Sequence, residues 1–155
     1  MNSISREERL GRKIVRELWP EIQLEFLGSI NDRDGIDGWL HSMKVQIKYD
    51  RRIEETGNIW DEHYEKSKGK PWQTWRKCKR NAHLYIFTSG GDLESLSTEG
   101  SLAIMVPLEE LDNRERDRQM IEIPKEGATS KGYLIAVPDI DSEIKFIEED
   151  NISWL

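Results

Sequence analysis

Residues 43–49 read MKVQIKY, and this alternation constrains the chain more than any other feature it has. A two-residue period places Met43, Val45, Ile47 and Tyr49 on one side and Lys44, Gln46 and Lys48 on the other, the pattern of a strand with one face in a core. Directly ahead stands DGIDGWL, followed by His41-Ser42. If His41-Ser42 is the tip of a hairpin, Leu40 faces Met43 and Asp37 lies opposite Gln46. Cross-strand partners share one side of a sheet. The polar face then carries Asp37, Gln46 and Lys48 together, and a slip of one residue would turn Asp37 away.

The flanking chain supplies the rest of an α/β domain. Ser5 followed by Glu8 fits a capping box, and Leu10, Ile14, Val15 and Leu18 recur on one helical face until Trp19-Pro20 ends the run. In IQLEFL, Ile22, Leu24 and Phe26 alternate with polar residues as in a half-buried strand. RRIEETGNIWDEHYEKSKGK reads as a loop with one short helix, and PWQTWRKCKRNA as a helix with proline in its first turn. HLYIFTS, SLAIMVPLEEL and KGYLIAVP read as strands. The expected architecture is a mixed central β-sheet flanked by helices. It forms a single domain over 1–155, with its core at about 4–110 and a charged extension at 111–155.

Charge is segregated along the chain. The formal net charge is -7, yet residues 66–80 contain Lys66, Lys68, Lys70, Arg76, Lys77, Lys79 and Arg80 with no acid. Trp72 and Trp75 are interleaved with these cations. The pair suits either a core or a groove that tracks a phosphate backbone and stacks on bases. Cys78, the single cysteine, excludes an internal disulfide and leaves no disulfide-linked partner. Neither it nor His41, His63 and His83 has the spacing of a structural zinc site, so a metal would be held by oxygen. MNSISREERLGRK lacks the apolar segment of a secretion signal, and the apolar runs are only strand-length. A cytoplasmic protein without membrane association is expected.

Hydrolysis of a phosphodiester calls for a metal at the non-bridging oxygen, an activated water and a positive group near the developing charge. Asp37, Gln46 and Lys48 offer oxygen ligands for Mg²⁺ or Mn²⁺ and a lysine beside them. At DGIDG and VQIK the sequence resembles the PD-(D/E)xK nuclease superfamily, most closely its Mrr-like restriction enzymes and more distantly the Holliday-junction resolvases. The likeness spans roughly Ile4 to Thr88.

It implies a restriction-endonuclease-like core and a metal-dependent DNA endonuclease. In that reading Asp37 is the metal-binding aspartate, Gln46 occupies the Glu/Gln position, the Ile47 carbonyl is a further ligand and Lys48 is the catalytic lysine. Residues 66–80 would contact DNA, and paired active sites would make a homodimer. Two departures accompany it. Gln46 replaces the commoner glutamate, removing a negative charge, and Gly11 stands where many members carry a helix acid, a role left to Glu7 or, preferably, Glu8. The alternative is a nucleic-acid-binding or regulatory module that keeps the fold without the activity.

Overall fold

A computed structural model describes residues 3–74, 80–148 and 152–154. In chain order it contains α1 (Ser3–Leu18), β1 (Gln23–Leu24), α2 (Ile30–Arg33), β2 (Gly38–Leu40), β3 (Met43–Tyr49), α3 (Ile53–Thr56) and β4 (Asn58–Ser67). Then follow β5 (Leu84–Ser89), β6 (Leu102–Pro107), α4 (Leu108–Glu115), β7 (Ile121–Lys125), β8 (Ala128–Ala136), a 3-10 turn and β9 (Glu143–Phe146).

The hairpin has the register that the alternation requires. Leu40 pairs with Met43, Trp39 with Lys44 and Gly38 with Val45, and His41 closes the connection in a left-handed conformation at φ 55°. β3 and β5 run parallel, with the rest of the main sheet antiparallel in the order β1-β2-β3-β5-β6-β9. Parallel neighbours need a long crossover. Residues 50–83 provide it.

That crossover carries β4, which joins the later strands in a second sheet ordered β4-β8-β7 and makes the architecture three-layered. On one face of the main sheet, Leu10, Ile14, Val15 and Trp19 of α1 pack on Val45, Leu84 and Ile86. On the other, Tyr85, Phe87 and Ile104 pack against Ile59 of β4, Ile135 of β8 and Leu111 of α4. Each fully buried aliphatic or aromatic side chain contributes about 1.5–3 kcal/mol relative to exposure. β5 has partners on both faces and all its residues are buried, which is why HLYIFTS shows no alternation.

Several expectations need correction. α1 begins at Ser3, so Ser5 lies inside the first turn and not at a cap. The strand expected in IQLEFL shrinks to Gln23–Leu24, leaving Phe26 87% exposed, because β1 pairs only with the short β2. Residues 51–70 contain the expected short helix, α3, but the rest is not a loop: a ten-residue strand runs there, paired along its length with β8. No helix is present among the described residues of 71–82, where Gln73 bridges to Glu65 by two backbone hydrogen bonds. Residues 75–79 lie outside the described residues. The chain beyond 110 is not peripheral, since Ile135, Val137 and Ile140 enter the core and β9 extends the main sheet. No helix among the described residues is long and apolar enough to cross a membrane.

Candidate active site

The site begins where β2 stops and β3 continues. The Asp37 N–H donates to the Val45 carbonyl at 2.8 Å, the last bond of the hairpin ladder. Past that point the edge of β3 is met by a side chain, with Asp37 Oδ2 accepting the Ile47 N–H at 2.7 Å. Within a strand, the N–H and C=O of one residue point to the same edge. The Ile47 carbonyl therefore opens toward Asp37.

A cleft of about 890 Å³ extends from this edge, lined by Glu7, Glu8, Asp37, Gln46, Ile47 and Lys48. Every residue expected at the catalytic or metal site borders it. Gly11 borders it as well, and its position explains the missing helix acid. A Cβ there would lie 3.0 Å from Thr88 Oγ1 and 3.3 Å from Ile47 Cγ2. Glycine in a helix interior costs about 1 kcal/mol relative to alanine, and here it lets α1 approach β3 closely. A side chain at 11 would press on Thr88 and Ile47, and the helix acids that border the cleft are Glu7 and Glu8.

Asp37 belongs to a buried ionic group that the sequence did not reveal. Arg12 of α1, 7% exposed, places Nη2 3.0 Å from Asp32 Oδ1 and 3.4 Å from Asp37 Oδ1, while its Nη1 donates to the Glu25 carbonyl. Asp32 is pinned in turn, accepting the Gly28 N–H at 2.7 Å and donating its own N–H to Ser29 Oγ at 3.1 Å. Burial pushes the Asp37 carboxyl up to about 7, helped by the Asp32 carboxyl and opposed by the Ile47 N–H and by Arg12. The donors facing the cleft here are hard oxygens: carboxylates from the hairpin and from α1, one amide and one carbonyl. Such a set fits Mg²⁺ or Mn²⁺, with Arg12 as the competing cation.

Lys48 is directed elsewhere than Asp37. Its Nζ lies 3.7 Å from Asp61 Oδ1 and 5.8 and 5.9 Å from the ring centres of Tyr85 and Phe87. Asp61, on β4, is fully buried and accepts a 2.7 Å bond from Arg80 Nη1. His63 Nε2 lies 3.4 Å from Asp61 Oδ2 and 3.0 Å from Glu115 Oε1 of α4, so His63, which had no partner by sequence spacing, has two. Burial alone would raise the Asp61 carboxyl. His63, a shared proton from Glu115, Lys48 and Arg80 together hold it well below the usual carboxylate range.

The ligand atoms of Asp61, His63 and Glu115 all lie within 4.8 Å of one another, as in a histidine–carboxylate metal centre. Arg80 and Lys48 already sit against those carboxylates. A second dication would have to displace them.

The basic segment divides. Arg80 is paired with Asp61, with Asp112 at 2.6 Å and with Glu115 at 3.5 Å, so its charge is spent inside the protein. Trp72 lies between two ammonium groups, Lys66 at 4.6 Å and Lys131 at 5.3 Å from its ring centre. Lys68 and Lys70 are exposed. Trp75, Arg76, Lys77 and Lys79 lie outside the described residues.

Arg12, Asp32, Asp61 and Glu115 were missed because each is buried by a partner far away in sequence. A polar residue on the apolar face of α1 was the only local signal, and it pointed to Arg12. No family model matches the chain, and no curated protein or solved structure does either.

Proposed function

We propose that the chain is a metal-dependent DNA endonuclease of the PD-(D/E)xK type. The observation that carries this reading is the shared cleft, where the helix acids, Asp37, Gln46, the Ile47 carbonyl and Lys48 all border one space. Asp37, the Gln46 side chain and the Ile47 carbonyl would hold the metal, with Glu8 on the opposing wall. Bound there, a divalent cation supplies a Lewis acid for the phosphate oxygen and lowers the pKa of a coordinated water.

The chain's own groups do the rest. Asp37 accepts from the Ile47 N–H, and this fixes the carboxylate against the strand edge where the carbonyl opens. Asp61 lies 3.7 Å from the Lys48 ammonium, and the flexible lysine stem would carry that charge to the cleft, where it would stabilise the negative phosphorane-like transition state. Lys48 and Asp61 sit on strands of the two sheets and Asp37 directly before one, tied to β3 by its backbone and side chain, which positions the groups for reaction.

One observation favours a second reading, a nuclease-fold binding module without activity. Arg12 stands 3.4 Å from Asp37 Oδ1 and supplies a positive charge where a metal would bind. Cleavage assays separate the two. With Mg²⁺ or Mn²⁺ and linear, nicked, branched or methylated DNA, the wild type is expected to cut. Lys48→Ala and Asp37→Ala should each lose about 10²-fold or more in rate, on the order of 2.7 kcal/mol, while retaining the wild-type far-UV spectrum. Binding without cutting on any of these substrates would establish the inactive module.

A further inference from the structure

The second sheet ends in a groove that is continuous with the cleft. This groove, about 540 Å³, lies where the end of β4 meets the β7–β8 hairpin, and its walls include Lys66, Lys68, Lys70 and Lys125. Among the described residues no acid lines it, although the chain as a whole carries a net charge of -7. Its remaining lining is small, including Ser67, Gly69, Gly127 and Ala128, which leaves the lysines as the groups that meet a ligand first. Pro124 and Lys125 border both the groove and the cleft. The two spaces therefore share a rim on β7.

The charges around this rim are not equivalent. Lys125 is held by Glu62 at 3.1 Å and Glu65 at 3.4 Å, which fixes the hairpin against β4. Lys66 and Lys131 both place their ammonium groups over the Trp72 ring, at 4.6 and 5.3 Å from its centre, so the indole holds two cations beside the groove. Among the described residues no carboxylate pairs with Lys66, Lys68 or Lys70. Unneutralised lysines, of which Lys68 and Lys70 are exposed, beside small residues suit a polyanion whose backbone comes close.

We propose that this groove is the track for the DNA backbone leaving the cleft: phosphates pass over Pro124–Lys125 and settle against Lys66, Lys68 and Lys70. The proposal rests on the nuclease reading above. It assigns DNA guidance to the tip of the second sheet and to the β7–β8 hairpin, and it removes Arg80 from the DNA-facing surface because that guanidinium is consumed by Asp61 and Asp112.

The test is the salt dependence of binding to a linear duplex without divalent metal, read by fluorescence anisotropy. Removing one lysine that neutralises a phosphate should lower the log–log slope by about 0.9. Lys66→Ala/Lys68→Ala/Lys70→Ala is expected to reduce the slope by about 3. Because Lys66 touches Trp72, Lys68→Ala/Lys70→Ala is measured too, with an expected reduction of about 2. Arg9→Ala/Arg16→Ala, on the exposed side of α1, removes two positive charges elsewhere and should leave the slope unchanged. A wild type that binds and cuts DNA, with the same slope in all variants, overturns the track and leaves the nuclease reading standing. A slope lowered equally by the α1 pair also overturns it, since net charge alone would then explain the binding. A wild type that neither binds nor cuts overturns both.

Discussion

Two buried ionic groups flank β3, and they differ in how their charge is balanced. Near the hairpin, the single guanidinium of Arg12 serves the carboxylates of Asp32 and Asp37. Beneath Lys48, the carboxylates of Asp61 and Glu115 meet Arg80, Lys48 and His63. The second group looks more like a metal centre because it contains a histidine between two carboxylates, yet its three cations balance the carboxylates of Asp61, Glu115 and Asp112 once His63 is protonated. The first is short of positive charge, and it borders an open cleft. Ligand types alone favour the second cluster; under the nuclease reading we propose, the charge balance favours Asp37.

The largest effects should come from removing the central ion of each group. Asp61→Ala removes the buried carboxylate that Lys48 and Arg80 share, and Arg12→Ala strands Asp32 and Asp37. Each should cost about 3–5 kcal/mol, because breaking a buried pair leaves uncompensated charge. Denaturation with and without Mg²⁺ then distinguishes them. The cation should stabilise Asp61→Ala by no more than it stabilises the wild type, and Arg12→Ala by more, since there it takes the place of the lost guanidinium. An equal response of both variants would erase the distinction between the groups.

A smaller effect is expected in the wild type. A ligand that binds only the folded state stabilises it by about 2.7 kcal/mol at 100 times its dissociation constant. Saturating Mg²⁺ should produce a rise of that order in denaturant unfolding. Asp37→Asn should abolish it and His63→Ala should preserve it. The opposite pattern would move the metal to the Asp61 group.

How much of this the sequence carried follows from where each partner lies. The hairpin register was legible because alternation, turn and strand length are local, and Leu40 and Met43 stand on either side of one tight turn. β5 was legible from its unbroken apolar run. β4 was not: Asp61 and His63 are polar residues in a stretch whose burial comes from β8 and α4, far along the chain, and a bulge between Glu62 and Tyr64 breaks the alternation there. At the site, Asp37, Gln46 and Lys48 announced themselves by spacing on one hairpin. Arg12 and Asp32 reach Asp37 from α1 and α2, and no local period relates them. Gly11 marked a departure whose reason, the close approach to Thr88 and Ile47, exists only in three dimensions.

The smallest effect concerns protons and sharpens the comparison from the side of the second group. Burial pushes the Glu115 carboxyl up to about 7, with the neighbouring Asp61 charge adding to the rise and His63 opposing it. His63 is raised as well: burial opposes its charge, but the hydrogen bonds to Asp61 and Glu115 outweigh that cost. A group with a raised folded-state pKa contributes stability that is complete below its unfolded value and disappears as pH rises through the folded one. Asp61 is lowered, so its contribution has the opposite sign and is lost in acid. Stability should therefore fall as pH rises from about 5 to about 8, and solvent screening near Glu115 limits its share to the order of 1 kcal/mol. Asp37 contributes with the same sign, so the wild-type curve mixes both groups. Glu115→Gln separates them: the amide keeps a donor beside Asp61 but cannot titrate, and its stability curve should be flatter than that of the wild type over this interval. Parallel curves would mean that Glu115 is ionised in the native state, and the second group would then hold enough negative charge to compete for the metal.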